Sequence, residues 1–350
     1  RVREVYENIE KPLIPVVRRM EERGVCIDSD VLDSLAEKYR SELNQIEKRI
    51  YKAAGREFNV SSPKQLGEVL FDELKIVPEK QKKTAGGQRS TRESELEKIR
   101  DEHPIVADIL DYRELKKLLS TYIENLPPLL DTGHRLHAQF LQTGTTTGRM
   151  ASQNPNLQNT PLHSERGRAI RHAFVASEGF KLVALDYSQI ELRLAAILSG
   201  DEKLCKIFKS GRDVHQEVAA QVFHVAPEAV DLEMRRRAKV VNFGILYGMG
   251  VNALRAQLGS TTAEAHQYLE EYFATFKTLS EYLERTKGFA RKHGYTETLF
   301  GRRRQFPEMK SSLPYVRAQA ERMAINAPLQ GTQADIIKLA MVRVDDMLKN

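Results

Sequence analysis

The chain has 350 residues, with 54 Lys and Arg against 48 Asp and Glu, for a formal net charge of +6. Its apolar share of 41% excludes a disordered chain, which could not bury enough apolar surface to offset its entropy, and the length suits about two domains. No apolar run approaches the ~18 residues that cross a bilayer, and a net charge of this size argues for nucleic acid only where the cations cluster.

The N-terminus carries Arg1, Arg3 and Glu4 and has no signal-peptide core. Cys26 and Cys205 lie far apart with no His pair beside them. They read as reduced, buried thiols of a cytosolic protein, not as a disulfide or a zinc site.

Residues 1–130 read as helical. Leu32, Leu35, Tyr39, Leu43, Ile46 and Ile50 recur at steps of three and four, with Asp28, Ser29 or Asp30 as N-cap and Gly55 as the stop. Ser62-Pro63-Lys64-Gln65 opens a second helix, with Ser62 as N-cap and Gln65 closing a capping box. A basic, glycine-containing loop occupies 80–92, and a third helix runs from Pro104 to about Glu124, before Pro127-Pro128. Beyond it, 135–142 alternates Leu136, Ala138 and Phe140 against polar residues, a strand signal. Residues 142–161 are polar loop, 180–185 reads as a short buried strand, and 190–198 as the helix that follows. The stretch 214–283 is helical, a very basic turn-rich patch fills 299–307, and a last helix starts at Tyr315.

Four groups of residues could carry chemistry. Asp186 stands at the end of the expected strand, with Glu191 in the first turn of the next helix. A carboxylate there suits a metal ligand; Asp186 as a helix cap, with Glu191 a surface partner of Arg193, is the bland alternative, since strand-ending Asp residues before helices are common. Arg235, Lys239, Phe243 and Tyr247 recur every four residues along one helix face. Two cations followed by two rings suit a ligand with polyphosphate at one end and a flat base at the other; a solvated basic turn above buried rings is the bland alternative. Arg322, Asn326 and Gln330 repeat the spacing and could address minor-groove acceptors, or merely line a polar helix surface. Thr147-Gly148-Arg149 and 154–159 form a loop dense in side-chain amides, which is often only a turn. Gly248-Met-Gly250-Val-Asn-Ala253 matches a dinucleotide-binding turn with Glu270 downstream, but the period-four pattern before it argues for a helix. No G-x-x-x-x-G-K-[ST] occurs, so a P-loop is excluded.

The order of these motifs is more specific than any one of them. LDYSQIELRLAA (185–196), RRRAKVVNFGILYG (235–248), TGR (147–149) with NPNLQN (154–159), and ERMAINAPLQGTQADIIKLAM (321–341) resemble the family A DNA polymerases of the bacterial DNA polymerase I type, over the whole chain. The resemblance implies an α+β, helix-dominant right-hand polymerase fold (palm, fingers, thumb) with an antiparallel palm sheet. It divides the chain into the tail of an exonuclease-like domain (1–27), thumb (28–130), first part of the palm (131–212), fingers (213–298) and a return to the palm (299–350). The activity implied is template-directed addition of deoxynucleotides to a primer 3′-OH with two Mg²⁺ ions. One ion lowers the hydroxyl's pKa and the other stabilises the leaving pyrophosphate.

Residue by residue, Asp186 resembles the first metal ligand, with the Tyr187 carbonyl as a further one, and Lys239 joins Asp186 as a catalytic residue. Glu191 resembles the steric gate that excludes a ribose 2′-OH. His215, Arg235 and Lys239 match the residues that hold the triphosphate, Phe243 packs on the sugar, and Tyr247 stacks at the nascent pair. Arg149, Asn156, Gln158, Arg322, Asn326 and Gln330 resemble contacts to template and primer. The partners expected are template–primer DNA and deoxynucleoside triphosphates, for a cytoplasmic monomer of bacterial or phage origin with no membrane contact.

Two departures stand out. His163 occupies the place of a usual Arg. The second catalytic carboxylate, normally in a His-Asp-Glu hairpin after the last helix, has no match, since the Asp-Glu pairs fall at 72–73, 101–102 and 201–202. The expectation is therefore a C-terminally truncated fragment, and the alternative a DNA- and nucleotide-binding piece that is inactive until complemented. The loop 80–92 and the run 302–304 are the expected phosphate contacts. Template–primer binding should fall steeply with salt, with about −0.9 in the log–log slope per neutralised phosphate. A flat salt titration would show that these cations only solvate the surface.

Overall fold

An Asp placed just before a three-four apolar repeat is a strong helix start, and the Asp28 carboxylate accepts from the backbone N–H groups of Asp30 and Val31. The computed structural model, which describes residues 1–76, 87, 89–162 and 164–349, shows the helix running Ser29–Ala54 and ending at Gly55 in the left-handed region. The architecture is helix-dominant α+β with small antiparallel sheets. It falls into two units, one of residues 21–139 and 152–183, the other of 1–20, 140–151 and 184–350.

In the first of these units, Ser29–Ala54 packs against a helix at Pro104–Leu118 that continues as a π-helical turn, Leu119–Ile123. Their apolar faces, with Leu32, Tyr39, Ile46 and Ile50 on one and Ile105, Ile109 and Leu115 on the other, are buried in a single core. Ser62 caps Pro63–Gly67 by accepting from the Gln65 N–H. The expected capping box is altered: the Gln65 side chain accepts from the Asn59 N–H, because Ser62 N–H already donates to the Asn59 carbonyl. A three-stranded antiparallel sheet, ordered Arg135–Leu136, Val25–Ile27, Phe174–Val175, closes the unit.

The second unit is built on the 35-residue helix Pro314–Leu348. Against it pack Ile190–Ser199, Lys277–His293 and the hairpin of Tyr295–Glu297 with Arg303–Gln305. Val214–Phe223, Leu232–Leu246, Val251–Leu258 and Thr262–Thr275 complete its helices, and Leu192, Ala195, Val218, Leu246, Tyr272 and Leu329 are among the residues of its main core. Behind the long helix lies a buried charged cluster. Lys338 donates to Glu10 at 2.7 Å and to the Gln142 carbonyl at 3.1 Å, and Arg302 pairs with both Glu10 and Asp335. Thr298 donates to the other Asp335 oxygen at 2.8 Å. Burial alone would raise the Glu10 pKa, but the hydrogen bonds from Lys338, Arg302 and Gln142 outweigh it and hold the carboxylate ionised.

The structure corrects several sequence readings. Residues 180–185 form no strand, and Phe180, Leu182, Val183 and Leu185 are exposed, Leu185 to 82%. Apolar composition suggests burial, but a strand also needs hydrogen-bonded neighbours, and none of the described strands pairs with this segment. The strand at 135–142 is two pieces, Arg135–Leu136 and Gln139–Leu141. Between them the His137 ring engages the Asp131 carboxylate and the Glu21 carbonyl. The loop 142–161 contains a short strand, Ala151–Gln153, and 299–307 contains most of a hairpin's turn and its second strand. Both cysteines are free but only half-buried. Most of the basic loop 80–92, and His163, lie outside the described residues. No described helix is long and apolar enough to cross a membrane.

Candidate functional site

Glu191 sits in the first turn of Ile190–Ser199, where a carboxylate is favoured by the helix dipole. It is 8% exposed, and a buried carboxylate has to find donors. It finds them on two other segments. Arg149 Nη2 donates to Oε1 at 2.7 Å and the Tyr247 hydroxyl donates to Oε2 at 2.8 Å. The bland alternative for Glu191 fails, since Arg193 instead donates to the Ser188 carbonyl and lies over the Phe208 ring. Tyr247 is exposed over much of its ring, but desolvation of its hydroxyl and the adjoining carboxylate together push its pKa up. The phenol therefore stays protonated and able to donate.

Tyr247 caps the C-terminal end of Leu232–Leu246, so the stripe of Arg235, Lys239 and Phe243 leads directly to Glu191. Gly248 follows at φ +63°, and a Cβ there would meet Arg322 Cβ at 2.9 Å. A glycine lets the turn rest against the long helix at Arg322. Because Leu232–Leu246 is a helix, the segment before Gly248 is not the strand that a dinucleotide-binding turn requires. Arg235 is held by Asp213 at 2.6 Å, whose carboxylate also caps Val214–Phe223 through the His215 and Gln216 N–H groups. Burial would raise the Asp213 pKa, but Arg235 and these N–H groups overcome it and lower it. Lys239 is exposed and has no ion pair among the described residues, leaving its charge available.

His215 is 4% exposed. Burial, together with Arg235 and Lys239 nearby, lowers its pKa from the ordinary 6.5. Asn242 Nδ2 lies 3.1 Å from His215 Nδ1. With the amide donating to Nδ1, the neutral ring carries its proton on Nε2. Its ring centre is 5.8 Å from that of Phe243.

Arg149 lies on the polar loop, whose Thr147 carbonyl approaches Gly331 so closely that a Cβ there would stand 3.2 Å from it and 2.5 Å from Thr298 Cγ2. The long helix contributes Arg322, exposed, with Gln330 half-buried and Asn326 7% exposed. The Asn326 Oδ1 has no hydrogen-bond partner in this structure. Its burial sets Asn326 apart from an ordinary exposed polar helix surface.

Not every expected residue joins this cluster. Asn156 and Gln158 belong to the other unit, where Asn156 Oδ1 accepts from Ser152 Oγ and the Gln158 N–H as a turn former. Arg302 is no phosphate contact, because it is committed inward to Glu10 and Asp335. Arg303 pairs with Glu297 and lies over the Tyr295 ring, and Arg304 lies over Phe306. Asp186 is exposed, and Ile190–Ser199 is preceded by Gln189 without a side-chain cap, so Asp186 is not that helix's cap. Sequence reading missed Asn242, Asp213 and Gln333. Gln333 was within reach, because it extends the face of Asn326 and Gln330 by another three residues.

Residues 29–350 match the family described as DNA polymerase family A. The chain is 49% identical over 342 residues to the thermostable DNA polymerase I of Thermus thermophilus, covering 97% of this chain and 41% of that protein. It is 49% identical over 348 residues to DNA polymerase I of Deinococcus radiodurans, covering 99% of this chain and 36% of that protein. Among solved structures, the POL domain of Pol1 from M. smegmatis, in complex with DNA primer-template and dNTP, superposes with a TM-score of 0.89 at 40% identity, over 98% of this chain and 60% of that one. The fold is therefore the right-hand polymerase fold. The chain belongs to DNA polymerase family A, and it spans about two fifths of the length of the curated relatives it matches.

Members of this family generally use divalent metal ions. Among the described residues no group of three or more His, Cys, Asp and Glu is placed to hold one. Asp186 by itself does not make a two-ion site.

The His215 environment makes a direct test. In ¹⁵N-detected NMR, His215 should titrate below 6.5 and show the Nε2–H tautomer at neutral pH. Below pH 6.5 the unfolded chain takes up a proton that the folded site resists, so stability should drop as pH is lowered through that window and recover as pH is raised. A midpoint above 6.5 would contradict the desolvated site.

Proposed function

We propose that this chain forms the polymerising part of a template-directed DNA polymerase, which adds deoxynucleotides to a primer 3′-OH. The observation that carries the reading is the buried Glu191 carboxylate, held by Arg149 and Tyr247 at the end of the Arg235–Lys239–Phe243 stripe. In this reading 28–130 is the thumb, 131–212 and 299–350 the palm, 213–298 the fingers, and 1–27 the tail of a preceding exonuclease-like domain. Arg235, Lys239 and the Nε2–H of His215 meet the triphosphate oxygens. Lys239, which has no ion pair among the described residues, supplies charge where it develops in the transfer. Phe243 packs on the sugar, and Tyr247 stacks at the nascent base pair.

Arg149, Arg322, Asn326 and Gln330 address the minor-groove edge near the primer terminus, where acceptors are read with little regard to sequence. Asn156 and Gln158 add contacts to the template–primer from the other unit. The cofactor is a divalent cation, Mg²⁺, with Asp186 as this chain's carboxylate donor and the Tyr187 carbonyl beside it. The partners are template–primer DNA and deoxynucleoside triphosphates.

Glu191 selects the sugar by volume. Its carboxylate is fixed from two sides, so it cannot swing away from an added 2′-OH. In primer extension by a protein that also carries the second catalytic carboxylate, Glu191→Ala should raise the kcat/KM ratio of ribo- to deoxynucleotide by roughly 10-fold or more, the scale on which a pocket senses one small group. Asp186→Ala should abolish extension with both sugars. If both efficiencies fall together in Glu191→Ala and the ratio stays constant, Glu191 only orients Tyr247 and is not the gate.

A further inference from the structure

The Arg149 nitrogen that grips Glu191 is shared. Nη2 carries two hydrogens: one donates to Glu191 Oε1 at 2.7 Å, and the other reaches the Gln333 side-chain oxygen at 3.1 Å. Two acceptors on one nitrogen fix the plane of the guanidinium as well as its position. The acceptors differ in kind. Glu191 is an ion, on a helix turn that also meets Tyr247, whereas Gln333 is neutral and belongs to Pro314–Leu348.

That stretch of the long helix is anchored from behind. Thr332 Oγ1 accepts from the Leu299 N–H at 3.1 Å, Asp335 is held by Thr298 and Arg302, and Lys338 by Glu10 and the Gln142 carbonyl. Gln333 is therefore a fixed acceptor on a rigid element, while Arg149 comes from a loop and has a long, flexible side chain. Without Gln333 the guanidinium keeps its attraction to Glu191 but loses the contact that sets its orientation. The carboxylate then loses its fixed partner at Oε1, with only Tyr247 still holding Oε2.

We infer that Gln333 is a positioning residue for sugar selection: it locks Arg149 so that the Glu191 carboxylate presents one face to the nucleotide's 2′ edge. The inference rests on the proposed role of Glu191.

The test measures equilibrium binding of matched ribo- and deoxynucleoside triphosphate to the protein on a template–primer with a dideoxy-terminated primer, so no turnover is required. In wild type the deoxynucleotide should bind more tightly. Gln333→Ala should narrow that preference by roughly three- to tenfold, the effect of one lost hydrogen bond, with deoxynucleotide affinity nearly unchanged. Gln333→Glu, which restores an acceptor of equal reach, should recover at least part of the preference. In an Arg149→Met background, Gln333→Ala should have no further effect. An unchanged preference in Gln333→Ala, or an equal loss of affinity for both sugars that Gln333→Glu does not reverse, would overturn the inference while leaving Glu191 as the gate. Equal binding of both sugars by wild type would remove the gate itself, and the inference with it.

Discussion

A carboxylate taken out of water has to be matched by donors, and the placement of Glu191 obliges the surrounding segments to provide them. The loop carrying Arg149, the end of the Leu232–Leu246 helix at Tyr247, and the start of Ile190–Ser199 meet because this one group needs them. Hydrogen bonds to a charged group each contribute about 1.5–3 kcal/mol, so losing either donor leaves the ion substantially underpaid in polar contacts. The proposed role of Glu191 in sugar selection rests on the same geometry. A side chain held at both oxygens has no freedom to yield to an extra atom.

The long helix plays the complementary part. Its outer face carries Arg322, Asn326, Gln330 and Gln333, and its inner face is fastened by Lys338 and Asp335 to Glu10, Thr298 and Arg302. Removing Glu10 would leave the buried Lys338 ammonium without an ion pair among the described residues, a loss of about 3–5 kcal/mol for a broken buried pair. Such a cluster is weak evidence of net stability, but it fixes register. Here the register decides which residues of Pro314–Leu348 stand beside Arg149.

Local signals were legible and long-range ones were not. Asp28 and Gly55 bracket their helix as spacing and capping chemistry require, and the period-four stripe from Arg235 to Tyr247 lies on a single helix and its cap. The motifs identified Glu191, but its bland alternative, a pair with Arg193 in the next half-turn, could be dismissed only by seeing Arg149 arrive from 42 residues away. Arg302 failed for the same reason: within a basic run it looks like a phosphate contact, and Asp335 with Glu10, the latter 292 residues distant, turns it inward. The run 180–185 was misread because apolar composition says nothing about whether hydrogen-bonded neighbours exist. Gln333 lay in plain view on the helix face, but a lone amide has meaning only once its partner is known.

Arg149 and Tyr247 are joined through one shared carboxylate. A double-mutant cycle of Arg149→Met and Tyr247→Phe, read as the ratio of ribo- to deoxynucleotide affinity on a dideoxy-terminated primer, tests that link most directly. Coupling through Glu191 predicts strong non-additivity, with an interaction energy of about 0.5–3 kcal/mol, because either loss already frees the carboxylate. Effects that simply add, to within about 0.5 kcal/mol, would show that the two residues act separately and that Glu191 is not the hinge of the site.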